Sequence, residues 1–156
     1  SKTMKRIYII TLLLSLCSVF SMAQQESVFE ELAEMKGVSS VYISKAMFQL
    51  MPDMKTEGLN LGPFIRKLES VQILSSENAE STVKMKKALQ YISPRNGYEE
   101  LMRVTEDGEK MIIYWKQGKQ GKNEFVMLND EGKEYTAIVI VGGLTLEEMQ
   151  KIAQGK

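Results

Sequence analysis

Apolar residues recur along this chain with two different periods, and the change of period divides it into regions. Before residue 92, helical spacing alternates with short stretches of strand spacing. Apolar residues three and four apart indicate a helix, and strict alternation indicates a strand. From Tyr98 to Val141 alternation prevails. The pattern therefore predicts helix, strand, helix, strand, helix, four consecutive strands and a final helix.

Capping and turn residues set the ends of these elements. Ser27 with Glu30 and Thr145 with Glu148 have the spacing of capping boxes, which open helices. Pro52 either ends the second helix near Met51 or kinks it there. Residues 53–62 form a linker, and Asp107–Gly108 marks a tight hairpin. Predicted helices cover about 27–36, 45–51 and 78–92, and a final helix begins at about residue 145. Predicted strands cover about 38–44, 69–75, 98–105, 110–117, 124–128 and 135–141.

The order of elements predicts an α+β domain. We expect a two-layer sandwich with the helices on one face of the sheet. The last four strands are joined by tight turns and must form an antiparallel meander. Helical crossovers between the earlier strands leave parallel pairing open there, which predicts a mixed, mostly antiparallel sheet. The β-branched run Tyr135–Val141 is expected to be a central strand covered on both faces.

The first two dozen residues resemble an export signal. Lys5 and Arg6 precede an apolar run, Ile7–Phe20, which ends in Ser21–Met22–Ala23. A basic start, a short apolar run and small residues before the cut are typical of a secretory signal peptide. We expect cleavage after Ala23, which leaves residues 24–156 as a single α+β domain in the periplasm or outside the cell.

Cys17 offers an alternative reading of the same segment. A bacterial lipoprotein signal places cysteine just after a short apolar run, although Leu16 is bulky where a small residue is expected. Lipidation there would anchor the protein to a membrane. Without lipidation, the sequence predicts no membrane contact.

Composition narrows the classes of function. The chain contains no histidine, and Cys17 is its only cysteine. Serine–histidine and cysteine–histidine nucleophile pairs and zinc sites built from these side chains are therefore excluded from residues 24–156. Those residues carry a net charge of −3, because 20 acids then face 17 bases. Nucleic-acid binding needs a clustered basic surface and is not expected.

Several apolar motifs resemble a family of secreted bacterial proteins known as domain of unknown function 4252. They are Val41-Tyr42-Ile43-Ser44-Lys45-Ala46-Met47, Ile73-Leu74-Ser75-Ser76-Glu77, Phe125-Val126-Met127-Leu128, and Val139-Ile140-Val141-Gly142 before a Leu-Thr-Leu-Glu helix start. The resemblance covers most of residues 24–156. It implies export and one domain, and it implies no catalytic residue.

Methionines form the first candidate site. Met47, Met51 and Met54 share a helical face around Pro52, and thioethers in an oxidising compartment suit Cu(I). Methionine also fills irregular cores, and the chain contains 11 methionines, so packing is the simpler interpretation. A Cu(I)-handling protein is kept as an alternative function.

The turn after the second strand of the meander is the second candidate. Trp115 is followed by Lys116, Lys119 and Lys122, which could meet an anionic group, although lysines at a turn also serve solubility. A protein partner is expected to contact exposed Trp115, Tyr98 or Tyr135, because aromatic residues are common at interface centres.

The leading hypothesis is an exported, non-enzymatic binding module without a cofactor, whose partner is another envelope protein or a surface component. An enzyme that uses carboxylates or lysine is a third possibility, which would need a cleft and a raised carboxyl pKa.

Overall fold

The computed structural model describes residues 5, 28–50, 55–56, 59–60 and 62–154. The chain divides into two units, Ser1–Met35 and Lys36–Lys156. The described part of the first unit contains helix α1, residues 28–34. The predicted cleavage site, Cys17 and Ser27 lie outside the described residues.

The second unit contains the strands. In chain order its helices and strands are β1 Val38–Ser44, α2 Lys45–Leu50, β2 Lys55–Thr56, β3 Leu59–Asn60, β4 Leu68–Ser76, α3 Ala79–Ala88, β5 Glu99–Glu106, β6 Glu109–Gln117, β7 Asn123–Asp130, β8 Tyr135–Gly142 and α4 Leu146–Ala153. Short 3₁₀ turns cover Gly62–Lys67, Leu89–Tyr91, Pro94–Asn96 and Lys119–Gly121. No helix among the described residues is both long and apolar enough to cross a membrane.

Six of the strands form one sheet in the order β1-β4-β8-β7-β6-β5. Every neighbouring pair in it is antiparallel. β8 lies between β4 and β7, which confirms the central position predicted for the β-branched strand. The α+β class and the C-terminal four-strand meander are likewise confirmed.

The sheet is not mixed as predicted, because the parallel pairing left open for the earlier strands does not occur. β1 pairs antiparallel with β4, because the connection through residues 45–67 returns to the end of the sheet where β1 stopped. β4 and β5 do run in the same direction, but β8, β7 and β6 separate them. The crossover between them spans three strands, so it creates no parallel neighbours. Residues 55–60, expected to be linker, include the short pair β2 and β3.

Helices lie on both faces of the sheet rather than on one. The side that carries Val71 and Ile73, called here the α4 face, packs against Phe48 of α2 and against Met149 and Ile152 of α4. Successive strand residues point to opposite sides, so Leu74 and Ser76 lie on the other side, called here the α3 face. β4, β7 and β8 carry apolar side chains on both faces of the sheet. Helices on one face alone would leave the side chains of the other face exposed to solvent.

Helix α3 is fixed to its face by a buried hydroxyl chain. The amide of Tyr135 donates to the Ser76 hydroxyl at 2.8 Å, and the Ser76 and Thr82 hydroxyl oxygens lie 2.6 Å apart. The Thr82 hydroxyl also lies 3.0 Å from the carbonyl oxygen of Lys133 and donates to it. Buried polar groups need such partners. Asn78 opens α3 with a capping box through Ser81.

Helix α4 begins as the sequence predicts. Thr145 and Glu148 exchange side-chain bonds with each other's backbone amides, which confirms the capping box. Leu144 and Met149, on either side of it, both lie in the buried core of the α4 face. Lys67 forms an ion pair with Glu148, which ties α4 to the start of β4.

Gly142 provides a sharp test of this core. A Cβ at this position would collide with the carbonyl oxygen of Lys67 and would lie 3.0 Å from the Leu68 Cα. Since backbone atoms cannot give way cheaply, Gly142→Ala is expected to lower the free energy of unfolding by about 1–3 kcal/mol. Urea denaturation measures the change.

Gly143→Ala is the matched control. A Cβ there meets nothing within 4 Å. We expect its free energy of unfolding to stay within about 0.5 kcal/mol of wild type. Equal losses in the two variants would show that the close approach of β8 to Lys67 does not matter.

Candidate functional site

A tight turn sets the register of the β5–β6 hairpin. Asp107 and Gly108 have positive φ angles of 50° and 84°, as the predicted two-residue turn requires. The turn places Val104 opposite Met111 and Met102 opposite Ile113. Residues that lie opposite each other on neighbouring strands share a face of the sheet. Ile113 lies opposite Met127, and alternation along β5 and β6 puts Met102, Val104, Met111 and Ile113 on the α4 face.

Three of these side chains form an apolar surface, called here the β5–β6 patch: Met102, Val104 and Met111. Met102 and Val104 are each 42% exposed, and Met111 is half-buried. The row continues inward through Ile113, which is buried, to Met127, which packs against the core. The patch is therefore an outward extension of the hydrophobic core on a firmly paired hairpin.

Trp115 lies on the same face, two residues beyond Ile113. It is partly buried and packs against the core of the α4 face, opposite Phe125 of β7. Its indole nitrogen is buried and finds no hydrogen-bond acceptor among the described groups. Trp115 therefore serves mainly to pack the sheet and supports the inner border of the patch.

On the opposite face, Glu124 is the centre of a polar cluster. The Tyr98 hydroxyl donates to the Glu124 carboxylate at 2.9 Å. The Tyr98 ring makes edge contacts with Tyr91 and Tyr114, with ring centroids 6.4 Å away in both cases. The Lys116 Nζ lies 4.8 Å from the centre of the Tyr98 ring. These side chains close the sheet where the chain from α3 returns to β5.

Burial dominates the electrostatics of this cluster. It raises the pKa of Glu124, although the Tyr98 hydrogen bond and the charge of Lys116 oppose it. It also raises the pKa of Tyr91, and the nearby Glu124 charge raises it further. A carboxyl with a raised pKa is one requirement for acid–base chemistry. The cluster brings together aromatic hydroxyls and one lysine around that carboxyl, an arrangement that also suits a structural role.

The predicted lysine group is only partly brought together. Lys116 turns to Tyr98, Lys119 is exposed, and Lys122 pairs with Glu69 at 3.6 Å. Glu69 also pairs with Lys45 at 3.0 Å, and the hydrogen bond from Lys45 is the main reason that its pKa is lowered. The turn is therefore less cationic than its sequence suggests.

The structure overturns the predicted exposure of two aromatic residues. Tyr98 and Tyr135 are buried, because α3 and the chain that follows it cover their face of the sheet. Burial raises the pKa of Tyr135 to about 12.

Of the predicted methionine site, only Met47 is described. It is 43% exposed on α2, while Met51 and Met54 lie outside the described residues. Among the described residues, no group of three His, Cys, Asp or Glu side chains is placed to hold a metal ion.

Sequence reasoning missed the β5–β6 patch. The signal was present in the Asp107–Gly108 turn, since counting outward from it pairs Val104 with Met111. Counting residues does not reveal which face of the hairpin is left uncovered at the sheet edge, however, and the structure was needed for that.

A comparison with family models identifies the family of this chain. The model for a domain of unknown function, DUF4252, matches residues 29–152, which include all the strands and the β5–β6 patch. The chain belongs to this family. No curated protein and no solved structure matches the chain.

The pKa of Glu124 leads to a pH-dependent prediction. Because its pKa is raised in the folded state, Glu124 contributes stability at low pH that is lost as the pH rises through the folded pKa. Glu124→Gln retains a hydrogen-bond acceptor for Tyr98 but does not titrate. Its free energy of unfolding, relative to wild type, should therefore increase between about pH 4 and about pH 7. Urea denaturation across that range measures it.

Glu69→Gln is the control of opposite sign. The pKa of Glu69 is lowered, so its contribution is present above the ordinary carboxyl pKa and is lost on acidification. The stability of this variant relative to wild type should decrease as the pH rises to about 4.5 and change little above that value. The interpretation of Glu124 fails if both variants shift in the same direction.

Proposed function

We propose that this protein is an exported, non-enzymatic binding module of the bacterial cell envelope, whose partner is another envelope protein or a surface component. The export half of the proposal is supported by the basic and apolar leader ending at Ala23. The binding half is supported by the β5–β6 patch.

The observation that carries the binding role is the exposure of Met102 and Val104 beside Met111. Apolar side chains grouped at a sheet edge favour contact with an apolar partner surface, since burying them removes about 25 cal/mol per Å² of unfavourable hydration. Methionine is unbranched and polarisable, so it adapts to partners of different shape. The hairpin beneath is fixed by its turn and by the core, so little order has to be gained on binding.

The strand beneath the patch favours recognition through side chains over strand addition. β5 carries Glu99, Glu100, Arg103 and Glu106, and its register with β6 shifts between Glu100 and Met102. Charges and bulges are the usual means by which edge strands avoid pairing with foreign strands. The partner is therefore expected to lie on the face of the hairpin.

Site-specific photocrosslinking tests the patch. With a photoreactive phenylalanine analogue in place of Met102, we expect a discrete adduct with an envelope component in living cells. Val104→Asp in the same chain should lower its yield about tenfold or more, because a carboxylate buried without a partner costs at least 1.4 kcal/mol.

Val83 is the matched control position for this experiment. It is 66% exposed on α3 and is separated along the chain from the other exposed apolar residues. The analogue at this position should give no adduct. Absence of an adduct at position 102, or equal adducts at both positions, would refute a binding role for the patch.

The N-terminus of the processed protein tests export. Mass spectrometry of the protein recovered from the envelope is expected to show a chain that begins at Gln24. A chain that begins at an acylated Cys17 would support the lipoprotein alternative. Recovery of the intact chain in the cytosol would contradict both.

A further inference from the structure

Two of the three side chains in the β5–β6 patch, Met102 and Met111, are thioethers. Oxidation converts a thioether to a sulfoxide, which replaces a flexible apolar side chain with a polar one and which a reductase can reverse. Residues 24–156 contain no cysteine, so no thiol in that part of the chain competes with methionine for an oxidant. The patch is therefore a surface whose polarity an oxidant can change.

Solvent access separates the methionines of the folded protein. Met102 is 42% exposed and Met47 is 43% exposed, whereas Met85 and Met149 are buried. An oxidant in solution reaches a buried sulfur only when the structure opens locally, and a packed core opens rarely. Oxidation should therefore begin at the exposed thioethers and leave the packing on both faces of the sheet intact. Met111, which is half-buried, should follow Met102.

The charged side chains of the hairpin cannot compensate a sulfoxide in the patch. The sulfoxide oxygen accepts hydrogen bonds, so it needs a donor when water is removed from it. Arg103 and Lys110 alternate onto the opposite face of the sheet. Glu106 and Glu109 lie opposite each other on the same face as Met111, but ionised carboxylates only accept hydrogen bonds. A partner that covers the oxidised patch would therefore bury a polar oxygen that these side chains leave unsatisfied.

We propose that Met102 is a reversible oxidation site, followed by Met111, and that the sulfoxide form switches off binding through the β5–β6 patch. The oxidant is a peroxide. With hydrogen peroxide, the thioether sulfur attacks one oxygen, an S–O bond forms, and the O–O bond breaks. The sulfur loses two electrons, and the other oxygen takes them up and leaves as water with both protons. Regulation of this kind rests on the binding role proposed above for the patch.

The exposure of Met102 also allows the reverse step in the folded protein. Methionine sulfoxide reductase restores the thioether, and the reduction consumes a dithiol: the S–O bond breaks, the oxygen leaves as water, and the dithiol becomes a disulfide. Met102 lies on β5, an edge strand, where a second enzyme can reach it without unfolding the sheet. A sulfoxide in the core would be accessible only through local opening.

Peptide mapping by mass spectrometry tests the site of oxidation on the purified protein as the cell processes it. With hydrogen peroxide as the probe, Met102 and Met47 should gain oxygen about tenfold or more faster than Met85, because a buried sulfur reacts only through local opening. The midpoint of urea denaturation should stay unchanged while only exposed methionines are oxidised. Oxidation of Met85 as fast as that of Met102, or a fall in the midpoint at that stage, would overturn the proposal.

Photocrosslinking tests the effect of oxidation on binding. The photoreactive phenylalanine analogue replaces Val104, so that Met102 and Met111 stay free to react. The purified protein is oxidised, freed of peroxide and irradiated with an envelope fraction. Oxidation should lower the yield of the adduct about tenfold or more, because the partner must then cover a sulfoxide. Treatment with methionine sulfoxide reductase and dithiothreitol should restore the yield.

Leucine at both patch methionines gives the matched variant. Met102→Leu with Met111→Leu keeps the patch apolar and removes its thioethers, so its adduct should survive peroxide. Met47→Leu removes an equally exposed thioether on α2 and should leave the adduct as sensitive as before. An adduct that peroxide does not diminish, or equal losses with and without the patch methionines, would refute the switch while the binding role stands. Absence of an adduct before oxidation would refute the binding role and the switch together.

Discussion

The pairing of β4 with β8 is the interaction on which the rest of the structure depends. β8 ends the meander and β4 belongs to the first half of the second unit, so this pair joins segments more than sixty residues apart. Both strands are buried on both faces, with Val71 opposite Ile140 and Leu74 opposite Ala137. Apolar burial on two sides outweighs the entropy of closing so long a loop.

The β4–β8 pair is covered by different elements on its two faces. Its α4 side is closed by α2 and α4, and its α3 side by α3 together with the buried hydroxyls of Ser76 and Thr82. The covering elements reach Ile43 of β1, which is buried, but they leave other side chains of the two edge strands uncovered. Side chains at the two edges, such as Tyr42 and Met102, are consequently left exposed. Which side chains remain exposed for contact therefore depends on where helices α2, α3 and α4 lie on the sheet, and not on a particular sequence motif.

Local signals predicted the elements of the second unit well and their arrangement only partly. The turn at Asp107–Gly108 and the cap at Thr145 are short-range effects, and both occur where the sequence places them. Strand order is decided by contacts between distant residues, and the long crossover after β4 is free to pass three strands. The burial of Tyr98 and Tyr135 depends on that crossover, so no local pattern could indicate it. The polar cluster around Glu124 was missed for the same reason.

The contrast between the edges connects the fold to a role in recognition. A free edge offers backbone hydrogen-bonding groups as well as side chains, and a protein can allow or prevent their use. β5 prevents strand pairing with its charges and its bulge, so what it offers is the side chains of one face. β1 has no such protection and offers its backbone directly. The same sheet therefore has one edge that presents the side chains of one face and another edge whose backbone groups its own sequence leaves unprotected. The central pair keeps these two edges at opposite ends of the strand order.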